Sequence, residues 1–311
     1  MESPERLASR LKLSDLRLLR AIADHGAIGK AAQHLNLTQP AVSKALAAME
    51  QTLGVRLLDR SRQGATPTLY GEAMLAGGLA VFDELRQSVV RIRHLTDPNS
   101  GVLRIGCTQP IALGFLPTVI ERVRRDYPGI RFRVLEGDSQ PNLRQRRIDL
   151  AISRSSTENA DPDFHEEALF NDPLLITAAT TNPWARRRKV SLKDIYDGPW
   201  TIPFYDSHVG RLITEGFHTQ GLEPPLPHMT TYAITLTLGL LNAGPYFGIT
   251  ARSLLRLNAG RLPIKELPVP FRHRPSPVVI VTVKNRTLSP AAELFIRYAR
   301  EAAKALSKGD S

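Results

Sequence analysis

The segment Thr96-Asp97-Pro98-Asn99-Ser100-Gly101 divides the chain into two textures, and no other feature constrains its fold as much. An aspartate before a proline is pushed out of helical backbone space, and Asn-Ser-Gly is turn chemistry. Before this break, Leu13 to Tyr70 reads as mainly helical with few prolines, and a further helical pattern runs from about Thr68 to Leu95. Beyond it, short β-rich runs alternate with helical patterns: VLRIGC (102–107), Leu113–Tyr127, RFRVLE (131–136) and IDLAIS (148–153). That alternation predicts an α/β domain with a largely parallel sheet. LLITAA (174–179) and WTIPF (200–204) predict a second α/β lobe. VVIVTV (278–283) reads as a returning buried strand, followed by a last helix from about Pro290 to Leu306. The 311 residues accommodate two or three such domains.

Composition removes several classes. The single Cys107 excludes an internal disulfide and is too little for a zinc-finger site, and its apolar setting predicts a buried thiol. No run approaches the roughly 18 apolar residues of a membrane helix. The N-terminus MESPERLASRLKLSD is charged throughout and lacks an apolar signal core, so a cytoplasmic location is expected. The net charge of +11 makes a polyanionic partner reasonable without placing it. Residues 1–71 hold ten basic and six acidic side chains, so most of the excess lies elsewhere. The basic runs RVRRDY (122–127), RQRR (144–147) and ARRRK (185–189) are scattered, lack interleaved aromatics and read as solvated faces.

Three helices can be read before residue 54. Ser14 is the expected N-cap of Asp15–His25, with Leu16, Leu19, Ile22 and Ala23 as its apolar stripe. A short helix at about Ile28–Leu35 and an Asn36-Leu37 turn follow. Thr38 then caps a longer helix with Pro40 in its first turn, where a missing N–H costs little. Ala41, Val42, Ala45, Leu46, Met49 and Leu53 form its apolar face, and Gln39, Ser43 and Lys44 its polar N-terminal side. Two helices joined by a tight turn, the second polar at its start, suit entry into a major groove. There Gln reads adenine, Ser bonds to bases or phosphates, and Lys reaches guanine or phosphate. A helical bundle whose caps only stabilise it fits the same spacing. VRLLDRSRQGATPTLYG (55–71) adds two extended pieces about Arg62-Gln63-Gly64, a wing hairpin with Arg60 and Arg62 placed for phosphates.

The run AAQHLNLTQPAVSKALAAMEQTLGVRLLDRSRQGATPTLYGE resembles the winged helix-turn-helix of LysR-type transcriptional regulators. The resemblance implies Thr38, Gln39, Pro40, Ser43 and Lys44 on a DNA-recognition helix, with Arg60 and Arg62 in the wing. Two positions depart from the family pattern. Gly29 stands where a larger hydroxyl-bearing residue is common, which removes a phosphate contact or loosens its helix. Leu58 replaces a usual aromatic, a core exchange. The DNA-binding domain is placed at 1–71 and a linker helix at 68–97. In that helix Leu75, Leu79, Phe82, Leu85, Val89, Ile92 and Leu95 recur at three- and four-residue steps, close to a coiled-coil seam. Homodimerisation is the expectation, extendable to a homotetramer, and two-fold symmetry implies a roughly palindromic operator.

Residues 101–303 resemble the family's effector domain, a two-lobed α/β module similar to periplasmic binding proteins. On that resemblance lobe I holds 101–170 and 274–303, lobe II holds 171–273, and the crossovers fall near Asp172-Pro173 and Phe271–Ser276. Ligands of such modules lie outside the carboxyl ends of strands. The candidate effector residues there are Thr108, Gln109, Ser153, Arg154, Ser155, Phe204, Tyr205 and Thr250. Hydroxyls and helix-start N–H groups suit a carboxylate or a sugar hydroxyl, and Arg154 a carboxylate. For Arg154 and Tyr205 an ordinary structural role weighs as much.

Neither GxGxxG, a P-loop, GxSxG nor HExxH occurs, and the eight histidines are dispersed. His165-Glu166-Glu167 reads as a surface segment of lobe I. No catalysis, cofactor, metal or membrane contact is expected. The expected function is a sequence-specific DNA-binding transcriptional regulator controlled by a small molecule held between two lobes. Sugars, sugar acids and aromatic carboxylates are the candidate effectors, and RNA polymerase is a candidate further partner. The alternatives are a non-catalytic binding protein, or an α/β enzyme fused to a helical DNA-binding module.

Overall fold

The computed structural model describes residues 3–61, 64–97, 99–155 and 161–307, and divides into a unit of residues 1–89 and a unit of residues 90–311. The first unit contains α1 (Pro4–Arg10), α2 (Leu13–His25), α3 (Ile28–His34), α4 (Gln39–Leu53), β1 (Leu58–Ser61), β2 (Gly64–Pro67) and most of α5 (Leu69–Thr96). Helix α1 is absent from the sequence expectation, although Ser3-Pro4 is a start signal: the Ser3 hydroxyl accepts from the Arg6 N–H at 3.4 Å. Ser14 is not the cap of α2. That helix begins at Leu13, and the Asp15 carboxylate accepts from the Lys12 N–H at 2.9 Å, leaving Ser14 inside the first turn. Thr38 does cap α4, accepting from the Ala41 N–H, and Gly54 ends it with φ +71°. Leu18, Leu19, Ile22, Ala31, Val42, Leu46 and Met49 form the core with Leu57 and Leu58.

The extended pieces pair as an antiparallel hairpin, Leu58 opposite Pro67 and Arg60 opposite Ala65. Arg62 lies outside the described residues. The Thr68 hydroxyl accepts from the Gly71 N–H and donates to the Arg56 carbonyl, which starts α5 against the hairpin base. Gly71 has no alternative there, because a Cβ would stand 2.0 Å from the Leu57 carbonyl oxygen. Along α5 the apolar series changes role. Leu75 packs on the core of the first unit, whereas Leu85, Val89, Ile92 and Leu95 are exposed, as is Val81.

The second unit carries β3 (Ser100–Cys107), α6 (Gln109–Leu113), α7 (Phe115–Asp126), β4 (Gly129–Glu136), α8 (Ser139–Arg144), β5 (Leu150–Arg154) and β6 (Phe164–Phe170). Then come β7 (Leu174–Ala179), β8 (Trp200–Ile202), α9 (His208–His218), β9 (Met229–Thr230), α10 (Ile234–Ala243), β10 (Phe247–Ala251), α11 (Arg252–Leu257) and β11 (Ile264–Glu266). The chain finishes with β12 (Val278–Val283) and α12 (Pro290–Ser307). Two five-stranded sheets result, ordered β4-β3-β5-β12-β6 and β11-β7-β10-β8-β9.

Both sheets are mixed rather than largely parallel. β3 pairs in parallel with β4 and β5, but β12 runs antiparallel to β5 and β6; β10 is parallel to β8 but antiparallel to β7. The reversal follows from the path of the chain, since β12 arrives from the other lobe and not by a helical crossover. The helix read over 113–127 is α7, starting at Phe115; Gly114 (φ −102°, ψ −87°) separates it from α6, a short helix absent from the sequence expectation. His165-Glu166-Glu167 belongs to the edge strand β6, where Glu167 pairs with Arg300. Each sheet has its own apolar core, one around Leu103, Ile105, Phe115 and Phe295, the other around Trp200, Leu212, Phe217 and Phe247.

Candidate nucleic-acid interface and ligand cleft

The start of α4 offers the residues a groove-reading helix needs. Thr38, Gln39, Pro40 and Lys44 are exposed and Ser43 is half-buried, while Val42 and Leu46 hold the opposite face in the core. One turn separates Gln39 from Ser43 and Pro40 from Lys44, so the polar groups share one side. The Gln39 amide oxygen lies 3.6 Å from where a Cβ on Gly29 would stand. The missing side chain at Gly29 therefore leaves room beside the Gln39 amide.

Arg60 does not hang free. Its guanidinium pairs with one oxygen of Glu50 at 3.0 Å, and the other Glu50 oxygen accepts from the Leu57 and Leu58 N–H groups at 2.9 and 3.3 Å. One carboxylate on α4 thus braces the first strand of the wing. The Ala65 N–H donates to the Gly26 carbonyl at 2.8 Å, and Gly64, at φ +143°, would place a Cβ 2.5 Å from that oxygen. This backbone bond ties the wing to the α2 C-terminus, where Ala65 also joins the apolar core of α2.

In the second unit, Thr108 precedes α6 with its side chain exposed and making no cap bond. The Gln109 amide oxygen accepts from the Ile234 N–H at 2.9 Å, joining the first lobe to the start of α10 in the second. Ser153 is half-exposed near the end of β5. From the other lobe, Phe204 stacks on Tyr232 with centroids 4.9 Å apart, both rings exposed. Thr250 is 2 % exposed, and its hydroxyl has no hydrogen-bond partner among the described residues. It shares a face of β10 with Gly248, against which Thr237 and Leu241 of α10 pack, and stands two residues nearer the carboxyl ends of the strands.

Three expected cleft residues are engaged elsewhere. Arg154 is buried between the crossovers, donating to the Asp172 and Ser276 carbonyls at 2.6 Å each and lying 3.5 Å from the Asp172 carboxylate. Burial lowers the pKa of its guanidinium, opposed by Asp172. The Ser155 hydroxyl donates to Glu166 at 2.7 Å. The Tyr205 hydroxyl donates to the Pro225 carbonyl at 2.8 Å, and burial pushes its pKa up to about 12. Sequence reasoning missed Asp172 as a partner: its carboxylate accepts from the Ser253 N–H and hydroxyl at 2.8 and 2.7 Å. It also missed Ile234 and Tyr232. The signals were an uncapped start to α10 and an aromatic residue just beyond a short strand. Cys107 is fully buried, and burial pushes its thiol up to about 11, against the thiolate form. Among the described residues no cluster of His, Cys, Asp or Glu is able to hold a metal, and no helix is long and apolar enough to cross a membrane.

A winged helix-turn-helix with a polar recognition-helix start, joined through a long helix to a two-lobed α/β module, defines a ligand-responsive DNA-binding regulator. The chain belongs to the LysR family: residues 13–72 match the bacterial regulatory helix-turn-helix of the lysR family, and residues 96–304 match the LysR substrate binding domain. It is a LysR-type DNA-binding transcriptional regulator with an effector-binding domain. It is 27% identical over 304 residues to the uncharacterized HTH-type transcriptional regulator YdcI of Escherichia coli (strain K12), covering 97% of this chain and 99% of that one. It is 26% identical to the HTH-type transcriptional regulator GbpR of Azospirillum brasilense, covering 95% and 88%. Full-length CbnR in complex with its target DNA shares the fold at TM-score 0.65 and 20% identity, over 94% of this chain and 100% of that one. A full-length, singly substituted OxyR from Pseudomonas aeruginosa does so at 0.62 and 19%, over 95% of each.

Proposed function

We propose that Thr38, Gln39, Pro40, Ser43 and Lys44 read the operator, with Arg60 and Arg62 on flanking phosphates, and that a small-molecule effector between the lobes controls the outcome. The effector-facing residues are Thr108, Gln109, Ser153, Phe204 and Thr250. The observation that carries this reading is the Gln109–Ile234 hydrogen bond: it joins the lobes where a ligand's carbonyl or carboxylate oxygen would take the same N–H. The protein works in the cytoplasm without catalysis of its own. It assembles as a dimer or tetramer, supported by the exposed α5 series of Val81, Leu85, Val89 and Ile92. RNA polymerase is the partner through which lobe movement reaches transcription. An effector shifts the lobe arrangements only by its differential affinity for them.

Selection of bound sites from random duplex DNA tests the reading, with a thermal-shift screen of sugars, sugar acids and aromatic carboxylates beside it. A two-fold symmetric site should emerge, and Gln39→Ala should weaken binding by about 1–3 kcal/mol and relax preference at one base pair. At least one compound class should raise the unfolding temperature. Unchanged base preference in Gln39→Ala overturns the helix assignment, and a flat screen overturns the effector classes.

A further inference from the structure

The two crossovers of the effector domain converge, and a histidine joins them independently of Arg154. His273, on the returning crossover, accepts through Nε2 from the N–H of Leu174, the first residue of β7, at 2.9 Å. Its Nδ1 lies 2.7 Å from the Arg274 carbonyl oxygen, which accepts only, so Nδ1 carries the proton. The ring is therefore neutral and locked in one tautomer. A second proton on Nε2 would set one N–H donor against another and end the bond to Leu174.

The surrounding charges do little to invite that proton at neutral pH. Half-burial of the ring disfavours the charged form; the Arg274 carbonyl, bonded to Nδ1, favours it, but burial together with repulsion from Arg154 prevails and holds His273 below the ordinary histidine value of 6.5. Glu215 of α9 favours protonation, but its carboxylate already accepts from the Arg274 N–H at 2.7 Å and lies 3.6 Å from the Arg274 guanidinium. Asp172 is engaged by Ser253 and Arg154. His208 of α9 bonds Ser276 at 3.0 Å, and the Phe271 ring flanks His273 at 6.3 Å.

We propose that His273 is a proton-operated latch in the hinge: neutral, it pins the outgoing crossover to the returning one; protonated, it releases Leu174 and leaves Arg154 to hold the two crossovers, which biases the lobes toward rotation. The proton is then a second input to the lobe equilibrium, acting away from the cleft, so the inference does not depend on the effector assignment. A histidine whose folded value is depressed contributes fully above about pH 6.5, and that contribution is lost as pH falls below it.

The test is residue-resolved hydrogen exchange on the full-length protein at pH 7.5 and at more than one pH unit below the His273 midpoint found by nitrogen NMR, corrected for intrinsic chemistry. Protection of the Leu174 amide should fall roughly tenfold or more in acid. In His273→Gln, which keeps a non-titrating acceptor, it should stay constant. Equal protection at both pH values in the native protein, or the same loss in the variant, overturns the latch. Nitrogen NMR of histidine-labelled native protein gives a reading that does not need the variant to fold. The Nδ1-protonated neutral tautomer with a midpoint below 6.5 supports the latch, and the opposite tautomer or a higher midpoint refutes it.

Discussion

Arg154→Met separates a hinge residue from a ligand contact. The substitution removes two hydrogen bonds of 2.6 Å, to the Asp172 and Ser276 carbonyls, and a 3.5 Å ion pair with Asp172. The arginine side chain is 12 % exposed, so water does not replace what is lost. Hydrogen bonds from a charged donor contribute about 1.5–3 kcal/mol each, and breaking a buried pair costs about 3–5 kcal/mol. Asp172 keeps both bonds from Ser253, which places the loss near the lower end, about 3 kcal/mol. For a domain of this size that is a fall of about 6–12 °C in the unfolding temperature. Calorimetry of the full-length protein should show the drop confined to the transition of the effector domain. A fall of less than about 2 °C, together with loss of effector binding, would refute the hinge placement and return Arg154 to the cleft.

Two further outcomes are expected. Glu50→Ala should destabilise the winged unit by about 2–3 kcal/mol in urea unfolding, since two part-buried N–H groups lose their acceptor and Arg60 its anchor; unchanged stability would show that the brace is incidental. Thr250→Val should leave stability unchanged or raise it by about 1 kcal/mol, because the hydroxyl it removes is buried without a partner among the described residues. The same variant should weaken binding of any compound found in the thermal-shift screen, and a clear loss of stability would mean that Thr250 already has a structural role.

The winged unit was legible because its signals are local. Thr38 caps α4 one turn from the N–H it binds, Pro40 sits where no donor is needed, and the alternation of polar and apolar residues follows a single helix. Ser14 misled because Asp15, one residue on, was the better-placed acceptor for the Lys12 N–H. The contacts across the lobes were not legible. The carboxyl ends of β3 and β5 make Thr108, Gln109 and Ser153 candidates, but a side chain's partner across the lobes leaves no trace in local spacing. Arg154 reaches carbonyls 18 and 122 residues away, and Gln109 an N–H 125 residues away. Strand β6 was hidden by its charged outward face, since His165, Glu166 and Glu167 interrupt the apolar pattern of a strand whose ends, Phe164 and Phe170, are buried.

The position of β12 bears on how the chain is made. The strand lies between β5 and β6, yet residues 278–283 leave the ribosome only after the whole of the second sheet, 174–266. Until then β5 and β6 have no strand to share, and the first lobe's sheet stands open at two edges. The second lobe is continuous in sequence and able to close first, so the lobe begun earlier is completed later. A released chain truncated before residue 278 would hold a complete second sheet beside an unfinished first, in which β5 is a bare edge and β6 has no strand to pair with, both open to a chaperone.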